Sequence, residues 1–302
     1  MWQPEPGWHA LPGGTGTSTV GVWRTVLGDQ PVVIKRLAAP GVHDPAELSN
    51  PRHFAYWRRA ADVADIGLTC RTPGLRSPAH AAVEEDVEGI TITEEWVEDA
   101  AVSGLFAAVG LGRFAAADLG ERSWLARNQL RDRMLRVEHR GGWRTLARTT
   151  IADVADRLWQ RRETLLGMLD ELPQVPQHGD AVPANLLGRR GDDVVAVDWG
   201  TLGIGPVGAD LGYYLLSARE EFEPLLDAYL LGLPDGVATR DQAALGARVT
   251  AVYTVLNRAE WALARVAGGE GALAGKYRHP AVAPHLRALQ RQSGLIEELV
   301  AG

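Results

Sequence analysis

One cysteine, Cys70, stands in 302 residues, so no disulfide can close within the chain. Such sparing use fits a reducing compartment, and a cytoplasmic protein is expected. No apolar run approaches the roughly 20 residues that a membrane-spanning helix needs. The opening Met1-Trp2-Gln3-Pro4-Glu5-Pro6 has neither the basic start nor the apolar core of a secretory signal. Basic charge is in short supply as well: 31 Lys and Arg against 38 Asp and Glu leave a formal charge of −7. That argues against a nucleic-acid binder, which carries a basic stripe, and leaves room for a cationic substrate. Internal repeats and a low-complexity tail are absent too. What is present is 46% apolar residues, enough at this length for a substantial core and two lobes.

The most informative stretch runs from residue 178 to 199. It reads His178-Gly179-Asp180-Ala181-Val182-Pro183-Ala184-Asn185-Leu186-Leu187, then a polar turn with Gly188, Gly191, Asp192 and Asp193, then Val194-Val195-Ala196-Val197-Asp198-Trp199. The apolar run has the length and composition of a buried strand. A hairpin of this kind brings Asp180, Asn185 and Asp198 to one end of a short sheet. Oxygen ligands gathered there suit Mg²⁺, which takes carboxylates and amides together with phosphate oxygens. Singly, each acid reads equally well as a turn residue or helix cap, but turn chemistry does not require this spacing of all three.

This pattern, H-G-D-x-x-x-x-N followed by a strand ending in D-W, resembles the aminoglycoside phosphotransferase family, small-molecule kinases of protein-kinase-like fold. The resemblance implies an α+β, bilobal protein-kinase-like fold: a small N-terminal β-sheet lobe over residues 1–97 and a larger, mainly helical C-terminal lobe over 98–302. It implies that Asp180 is the catalytic aspartate facing the acceptor hydroxyl, that Asn185 and Asp198 hold Mg²⁺, and that ATP is the phosphoryl donor. His178 and Asp210 would brace the loop, Asp210 lying in the family-like Gly205-Pro206-Val207-Gly208-Ala209-Asp210-Leu211; Asp210 also reads as an ordinary helix N-cap.

Residues 11–37 acquire meaning in that light. Gly13, Gly14, Gly16 and Thr17 precede an alternating strand from Thr19 to Leu27, and Gly28-Asp29 turns into Val32-Val33-Ile34-Lys35. Glycines between strands let backbone N–H groups approach phosphate unobstructed, although no Gly-Lys-Ser/Thr closes a Walker loop here. Lys35 resembles the strand lysine that kinases set on the α and β phosphates; by itself it reads as an edge-strand surface lysine. The strands His80 to Val87 and Ile90 to Val97 lead to a hinge where the backbone of Glu95 and Val97 would meet the adenine edge.

One expected part is missing. Kinases of this type anchor the strand lysine with a glutamate on the following helix. The helix expected over Pro51–Asp65 has Ala60 and Ala61 instead, and no glutamate occurs between Glu47 and Glu84. Asp62, Asp65 and Glu47 are the candidate substitutes. The aromatic cluster Phe54, Tyr56 and Trp57 reads as packing.

From residue 100 the chain reads as helical: 100–119, 123–137, a long helix over 150–172 ending at Pro173, and 218 to the end with turns at 232–236 and Gly268-Gly269. Glu260, Trp261 and Asp227 are candidates for the acceptor side. The short interval from Asp198 to Asp210 has no room for a phosphorylatable activation segment, and Gly179 replaces the arginine that reads such a phosphate in regulated protein kinases. The expected partner is therefore a small hydroxylated molecule, with a peptide Ser/Thr as the other acceptor. Nucleic acid and membrane are not expected. The alternative is a pseudokinase subunit of a peptide-modifying pathway, prompted by the missing glutamate; a metal-binding module accounts for the acids but not for Lys35.

Overall fold

The structure is a computed structural model describing residues 2–12, 16, 18–142, 150–267, 280, 283–292, 294, 295 and 299. Gly13, Gly14, Thr17 and the expected Gly268-Gly269 turn lie outside the described residues. Its first part is an antiparallel sheet. Strands β1 (His9–Ala10), β2 (Thr19–Leu27) and β3 (Gln30–Ala38) are followed by helix α1 (Arg59–Asp65), the short β4 (Leu75–Arg76), β5 (His80–Asp86) and β6 (Gly89–Glu95). The sheet order is β1-β2-β3-β6-β5. Alternation along β3 sends Val32 and Ile34 to one face, where they are buried, and Val33, Lys35 and Leu37 to the other, where Val33 and Lys35 line a cleft. Helix α1 packs on this cleft-facing side, where Ala61 and Ala64 meet Leu37, Ile90 and Ile92.

The expected helix over 51–65 forms only from Arg59. Residues 51–58 are turns because a side chain replaces helical bonding there: Arg59 donates to the carbonyls of Pro51, His53 and Phe54.

The second part is mainly helical: α2 (Gly104–Phe114), α3 (Gln129–His139), α4 (Thr150–Gln160), α5 (Arg162–Asp170), α6 (Ala209–Leu215), α7 (Phe222–Gly232), α8 (Arg240–Ala267) and α9 (Ala283–Arg291). The expected 150–172 helix is two helices, broken at Arg161, whose φ of −89° and ψ of 1° leave the helical region. The segment 123–128 is not helical; α3 begins after Asn128. Two small sheets sit among these helices. β7 (Gln174–Gln177) pairs with β10 (Gly203–Pro206), while β8 (Leu186–Arg190) and β9 (Asp193–Ala196) form a hairpin that β4 joins in parallel. A single large core runs through α2, α7 and α8. Helix α6 lies against α8 at backbone distance because Gly208 and Gly212 face the carbonyls of Ala243 and Ala247, where any Cβ would collide. That contact sets the position of Asp210 between the two glycines. Among the described residues no helix is long and apolar enough to cross a membrane.

Candidate active site

The 178–199 segment is built by local bonds. Gly179 takes φ +79°, and a Cβ there would lie 2.6 Å from the Thr201 carbonyl and 2.5 Å from Gln129 Nε2, so the position admits no side chain without displacement. His178 is fully buried, packed at a tilt of 47° against Trp199 with ring centroids 4.7 Å apart. Its Nε2 meets the Val197 carbonyl at 2.9 Å and its Nδ1 accepts the Asp180 N–H at 3.3 Å. Because a carbonyl only accepts, the ring proton belongs on Nε2. Asp210 accepts from the backbone N–H of His178 at 2.6 Å and of Gly179 at 2.9 Å. Burial pushes its carboxyl up; His178 and these two N–H groups pull the other way.

Asn185 sits at the end of a 3₁₀ turn, Pro183–Asn185, and its Nδ2 donates to Asp180 O at 2.9 Å and Asp180 Oδ2 at 3.1 Å. Its carbonyl oxygen thus remains available as an acceptor. Asp198 ends the hairpin in the left-handed region, φ 62° and ψ 58°, a conformation that Asp tolerates better than most residues and that turns its carboxylate off the strand. Lys35 Nζ reaches Asp198 Oδ1 at 2.6 Å across 163 residues of sequence. The Lys35 side chain is 14% exposed and that of Asp198 42%. Lys35 holds the Asp198 carboxyl below the usual range against the opposing effect of burial. Burial in turn works to lower the Lys35 ammonium, but the Asp198 charge and hydrogen bond, with Glu94 and Asp180, outweigh it and raise it.

None of the acids considered as anchors for Lys35 reaches it: Asp62 pairs with Arg58, Glu47 with Arg136, and Asp65 is exposed. The side of α1 facing the cleft is Ala60, Val63 and Ala64. The carboxylate that the sequence reading missed is Glu94. It stands opposite Val33 in the β3–β6 ladder, two pairs from Lys35 opposite Ile92, so it projects from the same sheet face into the same cleft. Burial raises its carboxyl, and the Lys35 charge works against that. The alternation of β6, Ile90, Ile92 and Glu94 on one face, carries the signal: an acid at the third place of an apolar stripe.

Two cavities meet at this centre. One, about 350 Å³, lies between the sheet and the hairpin, walled by Val22, Val33, Ile92, Leu187 and Trp199, with Glu95 and Val97 on its rim. The other, about 420 Å³, opens beside Asp180 and takes in Gly16, Phe54, Tyr56, Trp57, Arg133 and Tyr213. Lys35, Asn185 and Asp198 line both. The aromatics 54–57, read as packing, therefore face a cavity, because the turns before α1 lay them across its mouth. The candidates Glu260, Asp227 and Trp261 line neither cavity. Glu260 is buried against Arg140, Asp227 pairs with Arg240, and Trp261 is 48% exposed on α8.

A family model described as the phosphotransferase enzyme family matches residues 9–246. No curated protein sequence matches the chain. Among solved structures, the choline kinase LicA from Streptococcus pneumoniae is 12% identical, with 95% of this chain and 92% of that chain covered and a TM-score of 0.57. A choline/ethanolamine kinase family protein from Mesorhizobium loti is 16% identical, covering 94% and 92%, at 0.55. The GDP and kanamycin complex of APH(2")-IIia is 11% identical, covering 97% and 94%, at 0.62. These proteins share the protein-kinase-like arrangement of sheet and helices, the fold that the motif resemblance implied. With the family model spanning most of its length, the chain belongs to the phosphotransferase enzyme family.

Proposed function

We propose that the protein transfers the γ-phosphoryl group of ATP to a hydroxyl of a small molecule, with Mg²⁺ as the metal. The observation that carries this reading is the meeting of Lys35, Asp180, Asn185 and Asp198 where two cavities join, one sized for a nucleotide and the other open to an acceptor. The donor set fits the metal: an amide oxygen of Asn185 and a carboxylate of Asp198, on a hairpin whose geometry holds both. Among the described residues no group of three or more His, Cys, Asp or Glu could hold a metal alone. That suits Mg²⁺, which keeps waters and takes phosphate oxygens for its remaining ligands. The family neighbours support nucleotide use, one being a GDP complex and another, an amicoumacin kinase at TM-score 0.59, a complex with AMP-PNP and Ca²⁺.

When bound, nucleotide and metal supply the phosphoryl group and offset the charge on its oxygens. The chain's own residues do the rest. Asp180 orients the acceptor hydroxyl and takes its proton as the new O–P bond forms. The Asn185 amide that donates to the Asp180 carboxylate limits its rotation. Lys35 turns its ammonium from Asp198 toward the phosphates, and Glu94 keeps a second negative charge beside it. Gly16 and the neighbouring Gly13, Gly14 and Thr17 would cover the phosphates, with the backbone of Glu95 and Val97 against the base. His178 and Asp210 hold the loop's backbone. Residues 1–97 thus form the nucleotide lobe and 98–302 carry the catalytic loop and acceptor side. Alignment and electrostatics account for such catalysis without a covalent intermediate.

The test is ATP and Mg²⁺ with a panel of hydroxylated acceptors, following ADP release. Acceptor-dependent turnover that Asp180→Asn abolishes supports the proposal. A pseudokinase is the second reading, favoured by the apolar α1 face; nucleotide binding that is equal in both proteins, with no turnover on any acceptor, selects it.

A further inference from the structure

We propose that the acceptor cavity selects an alcohol carrying an anionic group, held by Arg133, and disfavours cationic acceptors. This rests on the phosphotransfer reading for the cavity's role, and on the arrangement of charge around the cavity for its content.

The wall beyond Asp180 is aromatic, a surface that by itself would suit an organic cation. Here the faces of Phe54, Tyr56 and Tyr213 are already taken. The Arg133 guanidinium lies 4.5 Å and that of Arg136 4.4 Å from the centroid of Phe54. Tyr213 is covered by Arg133 at 5.5 Å and Arg258 at 4.6 Å, and Tyr56 by Arg59 at 5.6 Å. An ammonium seated on these rings would meet guanidinium charge instead of a free π face.

Arg133 differs from Arg136 and Arg59 in what it lacks, and unlike Arg258 it lines the cavity. Arg136 is paired with Glu47, and all the guanidinium N–H groups of Arg59 go to backbone carbonyls. Arg133 makes a single long hydrogen bond, from Nη2 to the Gly179 carbonyl at 3.4 Å, and among the described residues no carboxylate lies within ion-pair distance of it. The acid beside it in sequence, Asp132, accepts from the backbone N–H of Phe54 and faces His53 at 3.8 Å. Arg133 therefore presents a stacked, oriented fork to the cavity with its partner missing. Its bond to the carbonyl preceding Asp180 places that fork within a small molecule's length of the reacting hydroxyl. A carboxylate or phosphate on the acceptor is the group that such a fork fits, often bidentately.

Three probes share one frame and differ in charge: 3-phenyllactate, its amide, and 1-amino-3-phenylpropan-2-ol. Their binding is measured by titration calorimetry on the full chain with AMP-PNP and Mg²⁺. The expected order is carboxylate, amide, amine, with about tenfold or more between first and last, the size of one charge-assisted bond. Arg133→Gln removes the preference and Arg133→Lys, which keeps charge but not the fork, retains part of it. AMP-PNP affinity reports that each variant is folded; if Arg133→Gln is not, Arg133→Lys decides by a several-fold weaker carboxylate and an unchanged amine. The proposal is overturned if the amine binds as well as the carboxylate, if the preference survives in the folded variants, or if no probe binds. Because binding is read without turnover, an Arg133-dependent preference in a protein that never phosphorylates an acceptor removes the kinase reading alone. Asp180-dependent turnover of cationic acceptors removes this one alone.

Discussion

Replacing Arg59 by methionine tests whether one buried cation holds the acceptor side to the metal side. Its side chain is fully buried and all five guanidinium N–H groups are used: Nε to Trp124 O at 2.7 Å, Nη1 to Phe54 O at 3.1 Å and Gly200 O at 2.9 Å, Nη2 to Pro51 O at 2.7 Å and His53 O at 2.8 Å. Burial lowers the guanidinium to about 10, still protonated at neutral pH. Methionine fills much of the space and orphans four carbonyls, since His53 O keeps the Tyr56 N–H. At about 1–3 kcal/mol each, dry orphans would cost roughly 4–12 kcal/mol. Water reaching some of them and the recovered desolvation of the cation, several kcal/mol, reduce the net loss to about 3–5 kcal/mol. That is a large share of a typical total stability of about 5–15 kcal/mol and corresponds to a fall in Tm on the order of 10 °C. Arg59→Lys, with charge but three donors, falls between. Urea unfolding at pH 7.5 gives the loss directly. Because Phe54 and Gly200 both line the acceptor cavity, acceptor KM should rise more than nucleotide KM. A methionine variant within about 1 kcal/mol of the parent refutes the reasoning.

Glu94→Gln removes a charge two ladder pairs from Lys35; ATP binding weakens by about 1 kcal/mol while adenosine binding, which lacks phosphates, stays the same, and an equal loss for both would assign Glu94 to the base instead. Asp132 carries a carboxyl pushed up to about 6, chiefly by burial, with the Phe54 N–H and Arg136 opposing. A raised carboxyl favours the protonated fold, so its stabilising effect is full below about pH 4 and is lost as pH rises through about 6. Asp132→Asn should therefore match the parent at pH 4 and exceed it by up to roughly 2–3 kcal/mol at pH 7.5; chemical denaturation at the two pH values checks this, and a variant less stable at 7.5 contradicts it. Gly179→Ala forces a Cβ against Thr201 O at a positive φ, costing about 1–2 kcal/mol of backbone strain plus displacement of Asp180; kcat should fall more than tenfold with nucleotide affinity kept, and an unchanged kcat would show that the loop tolerates the shift.

The segment from His178 to Asp198 could be read from sequence because its parts meet through a hairpin. When some twenty residues separate three polar side chains, turn chemistry and strand alternation settle their meeting locally. The two strands around Glu88-Gly89 and the alternating β2 and β3 were legible for the same reason. What could not be read depends on contacts distant in sequence, which leave no period or spacing behind. Lys35 meets Asp198 across 163 residues, Glu94 reaches that pair only because β6 lies beside β3, and the 51–58 turns form because a single arginine gathers their carbonyls. The aromatic residues 54–57 look the same in sequence whether they fill a core or wall a cavity; the packing of α3 and α6 around them decided that, and set Arg133 among them. Local chemistry thus determined the reacting centre, and tertiary packing decided what surrounds it, because side chains brought together from separate elements have no common register in the chain.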